Sequence, residues 1–131
     1  MDPFITELSP AEQEIIEDFR ECILSSDSRV VESIGSFMNN QGALVYKQED
    51  VFKYALARTK THFTLHSMVM YAYPETVTQL KEQSSKLKFQ KGCINFKSLS
   101  DFPLSEFSAL IQLFAKKDFT PILQHYKSKK K

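Results

Sequence analysis

Tryptophan is missing from this chain, and glycine, cysteine and net charge are all scarce. The 131 residues include three Gly and two Cys, and 17 basic against 16 acidic residues leave a formal net charge of +1. So small an excess argues against a dedicated nucleic-acid binder, which normally carries a strongly basic surface. No Gly-rich phosphate-binding loop occurs either.

The cysteines and the hydrophobic runs exclude further classes of protein. Cys22 and Cys93 do not form a CxxC pair, and two thiols cannot build a four-thiolate zinc site. No apolar run is long enough to span a bilayer, and no basic segment followed by an apolar one indicates a signal peptide. We therefore expect a cytoplasmic protein with free thiols that binds neither a membrane nor nucleic acid.

What the chain does contain is enough apolar material for one core. Hydrophobic residues make up 42% of the sequence, with eleven Phe and five Tyr among them. A chain of this length can bury one sizeable core but not two. Residues 1–126 are therefore predicted to form a single domain, and the lysine-rich residues 127–131 a disordered tail.

Hydrophobic patterns predict helices before and after a group of strands. Ser9-Pro10-Ala11-Glu12 is typical of a capped helix start, and a second short helix is expected from about residue 27 to Gly35, burying Val30, Val31 and Ile34. Strands are predicted at residues 43–47, 51–58, 62–68 and 93–97, and further helices at 74–86, from 104 and from 120. This order indicates an α+β two-layer sandwich, in which helices pack on one face of a mainly antiparallel four-stranded sheet.

The strands predicted at 62–68 and 93–97 alternate apolar and polar residues, which leaves one face open to water or a ligand. That face would carry His62, His66 and Cys93 as candidate ligand-binding residues. Residues four apart on a strand are separated by about 13 Å, so His62 and His66 cannot bind the same ion. The alternative is a polar sheet face whose histidines form hydrogen bonds with their neighbours.

Four carboxylates on the first helix form a second candidate site, for a metal ion. Glu14, Glu17, Asp18 and Glu21 follow helical spacing and fall on the face opposite the apolar stripe. Carboxylate oxygens could hold a hard cation such as iron. Alternatively, these residues only solvate the outer face of the helix and complement its positive N-terminus.

Catalysis and anion binding are the remaining possibilities. Cys93 and a neighbouring His lack an orienting carboxylate and an oxyanion-hole loop, so we do not expect an enzyme. A thiol enzyme would require Cys93 to be exposed and reactive. The open sheet face could also bind a small anionic ligand or a protein partner, since aromatic and basic residues are predicted nearby, namely Tyr54, Tyr71, Tyr73, Lys91 and Lys97.

Two stretches, FKYALARTKTHFTLHSMVMYAYPE and LKFQKGCINFKSLSDFPLSEFSALI, resemble the YdhG-like family of small bacterial proteins, whose function is unknown. The resemblance covers roughly residues 15–115 and implies the same α+β fold. Some family members carry a frataxin-like iron-chaperone label, which implies an intracellular iron carrier. The chain departs from the family around residues 36–42, because Gly35 is present but the proline of a Tyr-Gly-x-Pro turn is not.

The sequence therefore predicts a non-enzymatic ligand- or metal-binding domain, with iron as the candidate metal. Its rival from another class is a protein-interaction module, including a homodimer formed through the open sheet face. A contiguous apolar patch on that face would favour the interaction module, and a polar concavity would favour a ligand site.

Overall fold

A computed structural model describes residues 8–37, 40–58, 62–90 and 92–129, with side chains for all of these except 36, 37, 40–42 and 127–129. The helices are α1 (Pro10–Ser26), α2 (Met68–Ala72), α3 (Thr78–Gln83), α4 (Leu104–Lys116) and α5 (Thr120–Lys129). The strands are β1 (Val31–Phe37), β2 (Asn40–Gln48), β3 (Val51–Arg58), β4 (Phe63–Ser67), β5 (Lys88–Phe89) and β6 (Cys93–Phe96). Two 3₁₀ turns, Pro74–Val77 and Leu99–Asp101, precede α3 and α4.

The strands form one antiparallel sheet in the order β1-β2-β3-β4-β6-β5. The predicted α+β class and antiparallel pairing are confirmed. The predicted number of four strands is wrong, because β1 and β5 extend the sheet at its two edges.

Strand β1 replaces the short helix predicted for residues 27–35. Val31 pairs with Lys47 and Ile34 with Leu44 in β2. Val31 and Ile34, which we expected to be buried, are 70% and 59% exposed. Their β-branched side chains favour extended backbone, and pairing with β2 supplies the hydrogen bonds that a helix would otherwise have supplied.

The main core lies between the helices and one face of the sheet. Phe19 of α1 stacks on Phe107 of α4 with ring centroids 4.0 Å apart, and Tyr54 of β3 stacks on Phe114 at 6.0 Å. Strand residues in the same buried cluster include Leu44, Tyr46, Leu56, Leu65 and Ile94. Burial of aromatic rings of this size is the main contribution to the free energy of folding in such a core.

A β-bulge in β3 changes which residues face that core. Tyr46 pairs with Tyr54 whereas Lys47 pairs with Phe52, so Lys53 is the extra residue. Phe52 packs with a small cluster on the face opposite the helices, formed by Ala43, Val45 and Ala57. The side chain of Lys53 is fully buried. A bulge interrupts the two-residue alternation of a regular strand, so Phe52 and Tyr54 face opposite sides of the sheet.

Local signals decide where several elements begin and end. The turn at Glu49-Asp50 has φ values of 51° and 66°, as in two-residue hairpin turns, which confirms the connection predicted there. Strand β4 ends at Ser67 because its Oγ accepts a hydrogen bond from Met70 N–H at 3.1 Å and caps α2. The helix predicted at 74–86 ends at Gln83, and α5 runs through Lys129, into the predicted tail. None of the described helices is long and apolar enough to cross a membrane.

Candidate ligand-binding site

A cavity of about 520 Å³ opens where the beginnings of β4 and β5 meet the end of β6. We call it the lysine cavity, because three lysines line it: Lys86, Lys88 and Lys97. Its other lining residues are His62, Asn95, Phe96 and Asp101.

Strand pairing explains why these residues converge. Asn95 of β6 lies opposite Thr64 of β4 and Lys88 of β5. Residues directly opposite each other in an antiparallel pair point to the same face. His62 immediately precedes β4, whose first residue pairs with Phe96, so His62 reaches the cavity from the other side of β6.

The 3₁₀ turn after β6 fixes Asp101, the one carboxylate among the described residues that line the lysine cavity. Ser98 N–H donates a hydrogen bond to Asp101 Oδ2 at 3.3 Å, which completes a capping box. Asp101 Oδ1 lies 3.8 Å from Lys86 Nζ, where the side chains of Lys86 and Asp101 are 74% and 19% exposed. An ion pair this exposed adds little stability. Three lysines and one carboxylate give the described lining a formal charge of +2.

His66 and Cys93 are neighbours on the face of the sheet that also carries Asn95. They pair across β4 and β6, with His66 Nδ1 and Cys93 Sγ 3.2 Å apart. Burial lowers the pKa of His66 to about 4 and raises the pKa of the Cys93 thiol. Both groups are therefore neutral at neutral pH, whereas a nucleophilic cysteine is normally activated as a thiolate beside a positive charge.

The predicted group of His62, His66 and Cys93 therefore divides into two places. His62 lines the lysine cavity, while His66 packs edge-on against the ring of Phe52 at 5.1 Å. Gly92 makes room for the His66 ring, since a Cβ there would lie 3.2 Å from His66 Cε1. Cys93 is buried and His66 is half-buried, so the pair does not form an open site.

The four carboxylates proposed as a metal site lie exposed on α1. Glu17 pairs with Arg20 at 2.6 Å, and Asp18 and Glu21 line a groove between α1 and α4. Across residues 8–37, 40–58, 62–90 and 92–129, no three His, Cys, Asp or Glu side chains are placed to hold one metal ion. The placement of Glu14, Glu17, Asp18 and Glu21 thus adds no support to the metal hypothesis.

Only part of the predicted anion-binding group lies at the lysine cavity. Lys97 lines it, as expected, and Lys91 lies outside the described residues. Tyr54 is on the core face instead, fully buried, where its hydroxyl donates to Asp27 Oδ2 at 3.0 Å. The hydroxyl of Tyr73 donates to the carbonyl of Asp118 at 2.7 Å.

Three lining residues, Lys86, Lys88 and Asp101, were not among the predicted site residues. The sequence does carry a signal, because lysines recur on both sides of the Gly92–Phe96 segment. A two-residue strand such as β5 has no readable hydrophobic period, however, so its return beside β6 was not predicted.

A buried ion pair was also missed. Lys53 Nζ donates to Asp27 Oδ2 at 2.6 Å and to Gln48 Oε1 at 2.7 Å. Burial alone would raise the pKa of Asp27, but the hydrogen bond and charge of Lys53 hold it below its usual value. Burial lowers the pKa of Lys53. The pair joins the end of α1 to β3 and is enclosed in the core, so we interpret it as structural.

Comparison with known proteins yields no relative: no family model, no curated protein and no solved structure matches this chain. The YdhG-like resemblance thus stays a prediction based on the two sequence stretches.

Proposed function

We propose that this protein is a non-enzymatic binding domain whose ligand is a small organic anion held in the lysine cavity. The observation that supports this most is the convergence of Lys86, Lys88 and Lys97 on one concave space of about 520 Å³. Cavities of a few hundred cubic ångströms are the usual size for small-molecule sites.

The distribution of charge supports an anionic ligand. The whole chain has a net charge of +1, yet the described lining of the cavity alone has +2. The remaining residues therefore sum to a slight negative charge. Charges of one sign gathered in a concave site focus the field there and raise the local concentration of the opposite ion.

The other lining residues support an organic ligand rather than a bare inorganic ion. Phe96 and the aliphatic stems of the lysines offer apolar contact. Asn95 contributes an amide that can both donate and accept hydrogen bonds. A few polar groups placed on a partly apolar wall are typical of sites that orient one small molecule.

The protonation states of His66 and Cys93 are consistent with a binding role that involves no catalysis. The thiol and imidazole of the His66–Cys93 pair are both neutral near pH 7, and both lie outside the described cavity lining. Membership of the YdhG-like family and a cytoplasmic location are part of the proposal and depend on the sequence alone.

Calorimetric titration with propyl phosphate tests the proposal, with 1-propanol as the uncharged probe. We expect propyl phosphate to bind and propanol not to bind. The variant Lys88→Gln/Lys97→Gln should bind at least about tenfold more weakly, because two of the three cationic contacts are lost.

The matched control is Lys47→Gln/Lys116→Gln, which removes the same charge at exposed positions outside the described lining. It should keep the affinity of the unmodified protein. Equal weakening in both variants would contradict the proposal. Anaerobic titration with ferrous iron tests the iron hypothesis separately: binding that is lost in the variant Glu14→Gln/Glu17→Gln/Asp18→Asn/Glu21→Gln would support it, and no binding by the unmodified protein would contradict it.

A further inference from the structure

One group in the lysine cavity opposes the binding of an anion. Asp101 lines the cavity together with the three lysines. A carboxylate near a bound anion repels it, so Asp101 weakens the site for a ligand that carries only negative charge. An ionised carboxylate is a hydrogen-bond acceptor only, and it becomes favourable when the ligand supplies a donor.

The hydrogen bonds of Asp101 leave one oxygen able to accept such a donor. Oδ2 accepts from Ser98 N–H at 3.3 Å. Oδ1 is 3.8 Å from Lys86 Nζ, beyond hydrogen-bonding distance. The capping box uses one oxygen, and the position of the carboxylate is fixed by it.

The surrounding charge selects among possible donors. An ammonium group on the ligand would be repelled by Lys86, Lys88 and Lys97, whereas a hydroxyl is neutral and donates equally well. Asn95, directly opposite Lys88, adds a second partner for hydroxyls close to a cationic side chain. Three lysines also suit a group of charge near −2, such as a phosphate monoester, better than a single carboxylate.

We infer that the ligand of the lysine cavity is a sugar or polyol phosphate. The lysines hold its phosphate group, and Asp101 and Asn95 accept hydrogen bonds from its hydroxyl groups. This inference depends on the proposed function and adds the class of ligand. Asp101 is then the residue that determines specificity: it discriminates hydroxylated phosphate esters from plain alkyl esters.

A pair of probes isolates the contribution of the hydroxyls. Glycerol 3-phosphate and propyl phosphate have the same three-carbon skeleton and the same phosphate, and they differ by two hydroxyl groups. Calorimetric titration of the unmodified protein should give an affinity about tenfold to a hundredfold higher for glycerol 3-phosphate, the range expected for a hydrogen bond to a charged group.

The variant Asp101→Asn should bring the two affinities to within about threefold of each other. Its amide oxygen can still accept from Ser98 N–H, which leaves an NH₂ group in place of the second carboxylate oxygen. The affinity for propyl phosphate should stay equal or rise, because a repulsive charge is gone. Should Asp101→Asn fail to fold, as judged by circular dichroism, Asp101→Ser removes the same carboxylate with a smaller side chain.

Lys86→Gln is the control for the Lys86–Asp101 ion pair. It should weaken the binding of both esters and keep their ratio, because the acceptor on Asp101 is untouched. Equal affinities for the two esters in the unmodified protein would overturn the inference and leave anion binding intact. A ratio that survives Asp101→Asn would overturn it as well. Binding of neither ester would defeat the proposed function together with the inference.

Discussion

At the scale of single residues, His66 shows how burial changes the chemistry that a residue type suggests. Its sequence position on a polar strand face predicted an accessible imidazole. The bulge at Lys53 turns Phe52 toward that face, and its ring packs against His66. Burial then holds the pKa of His66 at about 4, so the imidazole stays neutral at neutral pH.

This lowered pKa predicts that acid destabilises the fold through His66. Between about pH 6.5 and pH 4 the unfolded chain binds a proton at this residue and the folded protein does not, so the free energy of unfolding falls as the pH falls. We expect this residue to contribute at most about 2 kcal/mol to the loss between pH 7 and pH 4.5. Urea unfolding at both pH values, followed by circular dichroism, measures that loss.

Two variants complete the pH experiment. His66→Gln should lose less stability over this interval than the unmodified protein, since its side chain does not titrate. His125→Gln, at an exposed position of α5, should behave like the unmodified protein. Parallel pH profiles for the unmodified protein and His66→Gln would show that the imidazole of His66 is not kept neutral by the fold.

At the scale of elements, the end of α1 is joined to the sheet by a buried polar group. Asp27 follows α1 and binds Lys53 at 2.6 Å, both side chains being fully buried. Arg29 also pairs with Asp27 at 3.3 Å and donates to the carbonyl of Ala115 near the end of α4. Because the bulge turns Lys53 toward the core, its ion pair with Asp27 links the end of α1 to β3.

Removing both partners of this pair should cost less than the sum of the two single removals. Asp27→Asn or Lys53→Met leaves a buried group without its partner, and each should lower the free energy of unfolding by about 3–5 kcal/mol. The double variant should lose clearly less than the sum of the two. Urea unfolding at pH 7 checks this as a double-mutant cycle.

The solvent-accessible pair Lys117–Glu75, 3.6 Å apart and with side chains 32% and 61% exposed, provides the comparison for that cycle. Its removal should change the free energy of unfolding by less than about 1 kcal/mol. Additive losses at Asp27 and Lys53 would mean that the two side chains contribute independently, which contradicts the structural role assigned to the pair.

The elements predicted correctly are those set by neighbouring residues. The capping box of α1 forms as expected, with Ser9 Oγ accepting from Glu12 N–H at 3.2 Å. Strand β1 and the β3 bulge depend on how consecutive strands pair with each other, which the hydrophobic pattern within one segment does not record. The site follows the same rule: His62 and Lys97 were named in advance, whereas Lys88 and Asp101 needed the position of β5 and of the turn after β6.

At the scale of the whole molecule, a near-zero net charge conceals an uneven distribution. Seventeen basic and sixteen acidic residues almost cancel, and much of the cancellation is local, as in the contacts of Arg20 with Glu17 and Glu32 at 2.6 Å each. The lysine cavity is an exception to this local cancellation, because the described residues that line it include three lysines and one carboxylate. The net charge of the chain therefore does not exclude a site for a small anion.

This uneven distribution predicts that ligand binding depends strongly on salt. Lys86 is 74% exposed, and Lys88 and Lys97 are exposed too, so mobile ions can screen them. The Debye length falls from about 10 Å at 0.1 M salt to about 3 Å at 1 M. The affinity for propyl phosphate should therefore fall by about tenfold or more between 0.1 and 1 M NaCl, as measured by calorimetry.

The paired lysine variants locate the origin of that salt dependence. Lys88→Gln/Lys97→Gln should show a shallower dependence, because fewer charges face the ligand, whereas Lys47→Gln/Lys116→Gln should keep the slope of the unmodified protein. If binding were instead due to burial of the alkyl chain against Phe96, salt would leave the affinity unchanged or raise it, since apolar association is not screened. An affinity that does not fall with increasing salt concentration would therefore contradict the proposal that the lysines hold the phosphate group.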